Sequence, residues 1–245
     1  MFHVKHSDDS TLSLSAIQDA ALRCGVRLDE LQAEAIRSHA AMVVSANERL
    51  NLTRITEPQA LLRLHIVDSL IWMKYVEGAL GSVIDIGSGA GYPGIPVAIA
   101  TGAPMTLCES IKKKSHFLID VVSVLGLAVT VYPDRAEELA RVSPAAADTV
   151  VARAVSSLSA LIELAAPLLT MGGRLVALKG TIEPSELQAG EHVAQLCGLT
   201  HEGVTAYVLP GGDEARSVAV YRRTGGTVVP LPRRAGLAQR RPLGQ

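Results

Sequence analysis

The chain has 245 residues, a net charge of −1, 48% hydrophobic residues and only 3% aromatic residues. This length suits one domain with a modest extension, and the apolar share allows a sizeable core of aliphatic side chains. The near-neutral charge excludes recognition of a polyanion by global charge, so any such site would be a local basic patch. Three scattered cysteines indicate a reducing compartment. We therefore expect a cytoplasmic protein without a metal site, a signal peptide or a membrane span.

The first third of the chain is predicted to be a helical cap. Residues 1–10 are expected to be a disordered N terminus. Apolar residues then recur at helical spacing over 11–24 and 29–47, and a third helical stretch runs over 58–76. The cap is therefore predicted to cover residues 11–80.

Short apolar runs separated by helical stretches follow the cap. Strands that alternate with helices are joined by right-handed crossovers and form a parallel sheet. The last two runs are joined by Pro210-Gly211-Gly212 with no helix between them, which predicts an antiparallel hairpin at the sheet edge. The predicted strands are Ser82–Ile86, Met105–Cys108, Ala128–Tyr132, Thr149–Ala152, Arg174–Leu178, Val204–Leu209 and Arg216–Arg223, and the predicted helices between them are Ile95–Ala100, Lys113–Leu125, Leu158–Leu169 and Glu183–Leu196.

These elements predict an α/β fold of the Rossmann-like class I methyltransferase type. Its sheet is mostly parallel with an antiparallel edge hairpin, and the N-terminal helical cap precedes it. This α/β domain is expected to span residues 81–223. Residues 224–245 are rich in Gly, Pro and Arg and are predicted to be a disordered tail.

The strongest local signal is a glycine-rich loop that directly follows the first strand. Gly87, Gly89 and Gly91 alternate there, which allows a sharp turn and close approach of a ligand to the backbone. Asp85 precedes the glycines, where it is predicted to hold the ammonium of the cofactor's amino-acid end or a neighbouring water. Glu109 ends the next strand, where an acid accepts hydrogen bonds from ribose hydroxyls. These features predict an S-adenosylmethionine site.

Two other functions remain open on the same residues. The glycines Gly89, Gly91 and Gly94 match a dinucleotide motif literally, and Glu109 would serve NAD equally well, so a NAD-dependent oxidoreductase is the alternative. Against it, Asp85 ends the strand and Gly87 comes two residues before that motif. A binding protein that keeps the fold without catalysis is the third hypothesis.

Several further segments occur in a specific order and spacing. Together with the glycine loop they resemble the bacterial 16S ribosomal RNA guanine-N7 methyltransferases, also called the glucose-inhibited division protein B family. The resemblance covers roughly residues 46–222. The segments are Asn51-Leu52-Thr53, His65-Ile66-Val67-Asp68-Ser69-Leu70, Asp85 to Pro96, Glu109 with Lys113-Lys114 and Phe117-Leu118, Arg135-Ala136-Glu137-Glu138, Arg153-Ala154, and Gly172-Gly173 with Lys179-Gly180.

The resemblance implies methyl transfer from S-adenosylmethionine to N7 of one guanine of 16S ribosomal RNA. It places Gly87 and Tyr92 against the cofactor, Ala136 and Glu137 near the adenine, and Arg153 at the end of the fourth strand. The implied partner is 16S ribosomal RNA or the small ribosomal subunit. We expect a monomer.

Four residues are candidates for catalytic roles. Arg153 and Lys179 each end a strand at the edge where open α/β sheets bind ligands. Asn51 and Asp68 would be interpreted as structural from the sequence alone, but both lie in the family segments before the glycine loop. Guanine N7 carries a lone pair and no proton, so the resemblance implies catalysis without a general base.

Overall fold

The computed structural model describes residues 12–153 and 155–244, and within them seven strands form one sheet. The first five strands of the chain run parallel, and the last two pair antiparallel at one edge. The strands are β1 Val83–Ile86, β2 Met105–Cys108, β3 Val129–Tyr132, β4 Ala147–Arg153, β5 Leu169–Lys179, β6 Leu199–Val208 and β7 Ala215–Arg223, in the spatial order β3-β2-β1-β4-β5-β7-β6. The predicted fold class, including its edge hairpin, is confirmed.

Helices cover both faces of this sheet. They are α1 Leu14–Arg23, α2 Glu30–Leu50, α3 Pro58–Leu61, α4 Asp68–Leu70, α5 Gly94–Thr101, α6 Lys112–Val124, α7 Ala136–Val142, α8 Leu158–Ala165, α9 Pro184–Leu196 and α10 Leu237–Arg240. One apolar cluster joins the sheet to α1, α2, α5 and α6. A second cluster joins it to α7, α8, α9 and α10. Burial on both faces explains why the central strands read as continuous apolar runs.

The helical cap is built around α2. Asp29 starts this helix with a capping box, in which its side chain accepts from the Gln32 amide at 2.7 Å while the Gln32 side chain accepts from the Asp29 amide. The same Gln32 side chain donates to the Ile99 carbonyl at 2.9 Å, which ties the cap to α5. Between α3 and α4 the chain forms a π-helical turn, Leu62–Val67, and a 3-10 turn, Ile71–Tyr75, follows α4.

The prediction of a disordered tail at residues 224–245 is wrong for the described part, residues 224–244. This segment, named here the C-terminal strap, runs back over α8 and α7 and contains α10. Ala238 is buried in the second apolar cluster, and Arg233 pairs with the buried carboxylate of Glu163. The composition of the strap does not indicate that it is ordered, because a few long-range contacts hold the strap in place rather than a periodic apolar face. The predicted disordered N terminus, residues 1–10, lies outside the described residues.

Two kinds of feature are absent from the described part of the chain. No helix there is long and apolar enough to cross a membrane. No group of three or more histidine, cysteine or acidic side chains there could hold a metal ion.

Candidate active site

The glycine loop lies at the carboxyl edge of the sheet, immediately after β1. Gly87, Gly89 and Gly91 all have positive φ angles, of 72°, 58° and 95°. A Cβ atom on Gly87 would lie 2.7 Å from Val155, and one on Gly91 would collide with His39 and Ile95. Above Gly89, however, the nearest atom is 3.8 Å away. The loop therefore packs against the protein at two glycines and leaves open space at the middle one.

Asp85 lies beneath this loop and is completely buried. Its Oδ2 atom accepts a hydrogen bond from the Gly94 amide at 3.1 Å, whereas Oδ1 has no partner among the described residues. Burial raises the pKa of this carboxyl to about 7. A buried acceptor without a hydrogen-bond partner is energetically unfavourable. Oδ1 can therefore accept a hydrogen bond from a ligand.

Glu109 follows β2 and is held beside the glycine loop. Its carboxylate accepts from the Gly89 amide at 2.9 Å and from the Ile111 amide at 2.7 Å. Each carboxylate oxygen has two acceptor positions, so both retain capacity for a ligand hydroxyl. The two predicted acids therefore lie on neighbouring strands of the same sheet edge.

A small cavity of about 40 Å³ adjoins this edge. Gly87, Ala136 and Glu137, which the family resemblance assigns to the cofactor, line it together. The Glu137 carboxylate is buried and accepts from the Gly236 amide of the strap at 2.6 Å. A larger groove of about 710 Å³ lies between α2, α3 and Leu12, but none of the predicted site residues lines it. The smaller cavity is therefore the one that the predicted cofactor residues adjoin.

Tyr92 lies in an aromatic stack on the other side of the loop. Its buried ring lies 4.5 Å from the His65 ring, nearly parallel to it, and 4.6 Å from the His39 ring. Burial lowers the pKa of His39 to about 4 and that of His65 to about 3, so both imidazoles are neutral at pH 7. The His39 ring is hydrogen-bonded to the Ala90 carbonyl at 2.8 Å. The stack thus connects the helical cap to the glycine loop.

Arg153 and Asp68 form an ion pair next to this stack. Arg153 ends β4, and its Nη1 atom donates to Asp68 at 3.1 Å and to the Leu64 carbonyl at 3.1 Å. The second oxygen of Asp68 accepts from Arg216 at 3.0 Å. Asp68 therefore joins the irregular helix of the cap to β4 and β7. Asp68 and Arg153 were predicted to belong to one site, but their direct contact was not predicted.

The comparisons with known proteins identify the family. The sequence model of rRNA small subunit methyltransferase G matches residues 32–213. The chain belongs to this family. It is similar to the methyltransferase G of Limosilactobacillus reuteri, with 38% identity over 92% of this chain and 97% of that protein. It is 35% identical to that of Carboxydothermus hydrogenoformans, over 89% of this chain and 95% of the relative. The predicted family is confirmed.

A solved structure supports the fold independently of close sequence similarity. The structure of M. jannaschii TYW2 in complex with AdoMet matches with a TM-score of 0.51 and 16% identity, over 62% of this chain and 73% of that one. At this identity the likeness shows the fold alone. None of these comparisons supports the oxidoreductase alternative.

The two remaining candidate residues, Lys179 and Asn51, lie apart from the Asp68–Arg153 pair. Lys179 ends β5, and its ammonium binds the Ser156 carbonyl and the Glu186 carboxylate. Asn51 is exposed and ends α2 with a φ of 50°. Neither side chain contacts the Asp68–Arg153 pair, whereas nearby Thr53 is hydrogen-bonded to His65 at 2.8 Å.

Arg216, the second arginine that binds Asp68, was not predicted from the sequence. It lies near the start of β7, and this strand runs antiparallel to β5 with Ser217 opposite Lys179. An antiparallel neighbour starts where a parallel strand ends, so the start of β7 falls at the carboxyl edge of the sheet. The predicted hairpin therefore contained the signal for Arg216.

Proposed function

We propose that the chain transfers the methyl group of S-adenosylmethionine to N7 of a guanine in 16S ribosomal RNA. The observation that carries this proposal is the family match over residues 32–213, which includes β1, the glycine loop and β4. The arrangement of acids around the loop supports the cofactor. The cationic rim described below supports the RNA substrate.

The residues at the sheet edge suit the functional groups of S-adenosylmethionine. The unpartnered Oδ1 of Asp85 suits the ammonium of its amino-acid end. Glu109 suits the ribose hydroxyls, and Ala136 and Glu137 suit the adenine. The cofactor supplies an electrophilic methyl group on a positively charged sulfur.

The chemistry at N7 asks little of the protein beyond positioning. The N7 lone pair attacks the methyl group directly, and no proton has to leave beforehand, so no general base is needed. The two nearby histidines agree with this, because burial lowers the pKa of His39 to about 4 and that of His65 to about 3, which makes both weak bases. In the proposal, Asp68 holds Arg153 in place through the ion pair at 3.1 Å. Arg153 then contributes electrostatically at the edge where cofactor and base meet.

A cationic rim surrounds this edge and suits ribosomal RNA. Arg49 and Arg54 are exposed on either side of Asn51, close to the loop that bonds His65. Arg153, Lys179 and Arg216 follow along the ends of β4, β5 and the start of β7. Such a local patch attracts phosphates even though the net charge is only −1. We propose that Asn51 and Lys179 contact the RNA from opposite sides.

Transfer of a labelled methyl group tests the proposal. Unmodified small subunits and free 16S ribosomal RNA are incubated with labelled S-adenosylmethionine, and the modified nucleoside is identified by mass spectrometry. We expect 7-methylguanosine at a single site and at least a hundredfold slower transfer by the Arg153→Ala variant. The control is Arg37→Ala, at a partly exposed position on α2, which should transfer normally. A different modified atom, or no transfer to either substrate, would refute the proposal.

We also propose that the protein acts in the cytoplasm as a monomer. Its three cysteines are all unpaired, which suits a reducing compartment. Light scattering at the concentrations used for transfer should give the mass of one chain, whereas a dimer mass would contradict this.

A further inference from the structure

The C-terminal strap meets the proposed cofactor site at its adenine end. Gln239 of α10 lines the small cavity together with Ala136 and Glu137. The Gly236 amide donates to Glu137 at 2.6 Å, and Arg135 at the start of α7 donates to the Gln239 side chain at 3.3 Å. The strap therefore holds the same carboxylate that is proposed to lie beside the adenine.

Both ends of the strap segment that makes these contacts are held by one buried residue, Glu163. The Glu163 carboxylate accepts from the Arg233 guanidinium, at 2.6 Å from Nε, and from the Leu243 amide at 3.1 Å. Arg233 also donates to the Arg241 carbonyl at 2.8 Å. Residues 234–241 thus form a loop between two anchors that lie close together. We name this loop the lid.

The cavity under the lid is too small for the cofactor. Its volume is about 40 Å³, whereas sites for small molecules usually measure about 300–1,000 Å³. Ile86, Gly87 and Cys108 on the inner wall belong to the buried strand ends and the glycine loop. Gln239, in contrast, is exposed and belongs to a helix of four residues near the end of the chain. The lid can therefore move apart from the sheet, at the cost of uncovering Ala238, which is buried next to α8.

We propose that the lid is a latch that closes the adenine end of the cofactor site and has to leave Glu137 for S-adenosylmethionine to bind. This inference rests on the proposed function. Cofactor and lid then compete for the Glu137 carboxylate, and the closed fraction lowers the apparent cofactor affinity. The anchors at Glu163 stay in place, so opening is local and does not unfold the strap.

Amide exchange in the full chain tests this directly, with S-adenosylhomocysteine as the probe. In the free protein the buried Gly236 amide should exchange slowly because it donates to Glu137. Saturating probe should make its exchange at least tenfold faster. The Leu161 amide of α8, which donates to the Ser157 carbonyl, is the internal reference and should not accelerate. Unchanged or slower exchange at Gly236 would show that the strap stays as a fixed wall, and would overturn the proposal.

A variant of the latch gives a second, independent test by calorimetry. Gln239→Ala removes the contact with Arg135 and should tighten binding of S-adenosylhomocysteine about two- to fivefold, the ratio that corresponds to one weak hydrogen bond. The matched control is Arg234→Ala, at an exposed lid position that does not line the cavity, and its affinity should stay unchanged. Weaker binding by Gln239→Ala would make Gln239 part of the site and refute the latch. If only the variant binds, the latch is supported, and if neither protein binds, the cofactor site itself is wrong and the latch with it.

Discussion

Asp68 and Glu163 are both buried carboxylates that bind arginine from distant parts of the chain, but they lie in different surroundings. Asp68 bridges Arg153 and Arg216 at the carboxyl edge of the sheet. Glu163 lies on α8 within the second apolar cluster, and its arginine, Arg233, comes from the strap. The Asp68 ion pairs lie beside the glycine loop, whereas the Glu163 ion pair holds the end of the chain in place.

The surroundings decide what each pair contributes. The side chains of Arg153 and Arg216 keep 15% and 23% of their surface exposed, so water can solvate them if Asp68 is removed. The Glu163 side chain is only 2% exposed and depends on its partner. Removing Arg233, which is itself 21% exposed, leaves the buried Glu163 carboxylate uncompensated, and this costs more than removing Asp68, which leaves two partly exposed arginines. We therefore expect the Glu163 pair to control stability and the Asp68 pair to control activity.

The largest expected effect is on the Glu163 side of this comparison. Arg233→Ala leaves the Glu163 carboxylate buried without its guanidinium and should lower the free energy of unfolding by about 3–5 kcal/mol. Urea denaturation measures this. The neighbouring Arg234→Ala should change it by less than about 0.5 kcal/mol, because Arg234 is exposed. Equal stabilities of the two variants would remove the distinction between the pairs.

On the other side, Asp68→Ala should affect transfer more than folding. It releases Arg153 and Arg216, and we expect a loss of about 1–3 kcal/mol in stability but at least a tenfold slower single-turnover methyl transfer. Binding of S-adenosylhomocysteine should be retained, which separates loss of positioning from loss of the fold. Wild-type transfer by this variant would show that the ion pair does not position Arg153 for the reaction.

Asp85 extends the comparison to a buried carboxylate without an arginine partner. Its pKa of about 7 means that it is mostly protonated at pH 6 and ionised at pH 8. Since only the ionised form attracts the cofactor's ammonium, binding should tighten about tenfold from pH 6 to pH 8. Asp85→Asn should remove this dependence. A wild-type affinity that is flat over this range would exclude Asp85 as the ammonium ligand.

The same carboxyl also affects stability, with the opposite sign. Its pKa lies above the value of 3.8 for an unperturbed group, so the folded state binds a proton between about pH 4 and 7 that the unfolded state releases. The stability from this group is therefore present at low pH and is lost as the pH rises through 7. Asp85→Asn should accordingly stabilise the cofactor-free protein at pH 8. Thermal unfolding of the wild-type protein and the Asp85→Asn variant at pH 6 and pH 8 measures this difference.

The smallest effect concerns arginines that neither carboxylate binds. Arg49 and Arg54 are exposed, and within the described residues neither forms a salt bridge. Replacing both with Gln should reduce the slope of log K against log salt for RNA binding by about 1.4, at roughly 0.7 for each phosphate contact with a single strand. The choice of guanine should not change. An unaltered slope would place the RNA on another face.

The sequence predicted those parts of the molecule that depend on local pattern and parallel topology. The central strands are buried runs, and Asp85, Glu109, Arg153 and Lys179 lie along one edge of the sheet because each is at or next to the end of a parallel strand. The helix α7 was missed because its seven residues are too few to show a clear period.

Contacts between segments that are far apart in the chain could not be predicted from the sequence. Glu163 is separated from Arg233 by 70 residues, and Gly236 from Glu137 by 99. No local pattern indicates either contact, so a strap rich in Gly, Pro and Arg was predicted to be disordered. The roles of Asn51 and Tyr92 stay predictions.

The central claim is that the methyl group goes to guanine N7 without a general base. The most direct measurement is single-turnover transfer, at saturating cofactor, to 16S ribosomal RNA in which the target guanine is replaced by 7-deazaguanine. We predict that transfer is abolished while RNA binding is nearly unchanged, and that the rate on normal RNA stays almost flat from about pH 6.5 to 8.5. Methylation that survives the replacement would mean that another atom accepts the methyl group, and a tenfold rise in rate per pH unit would reveal a base.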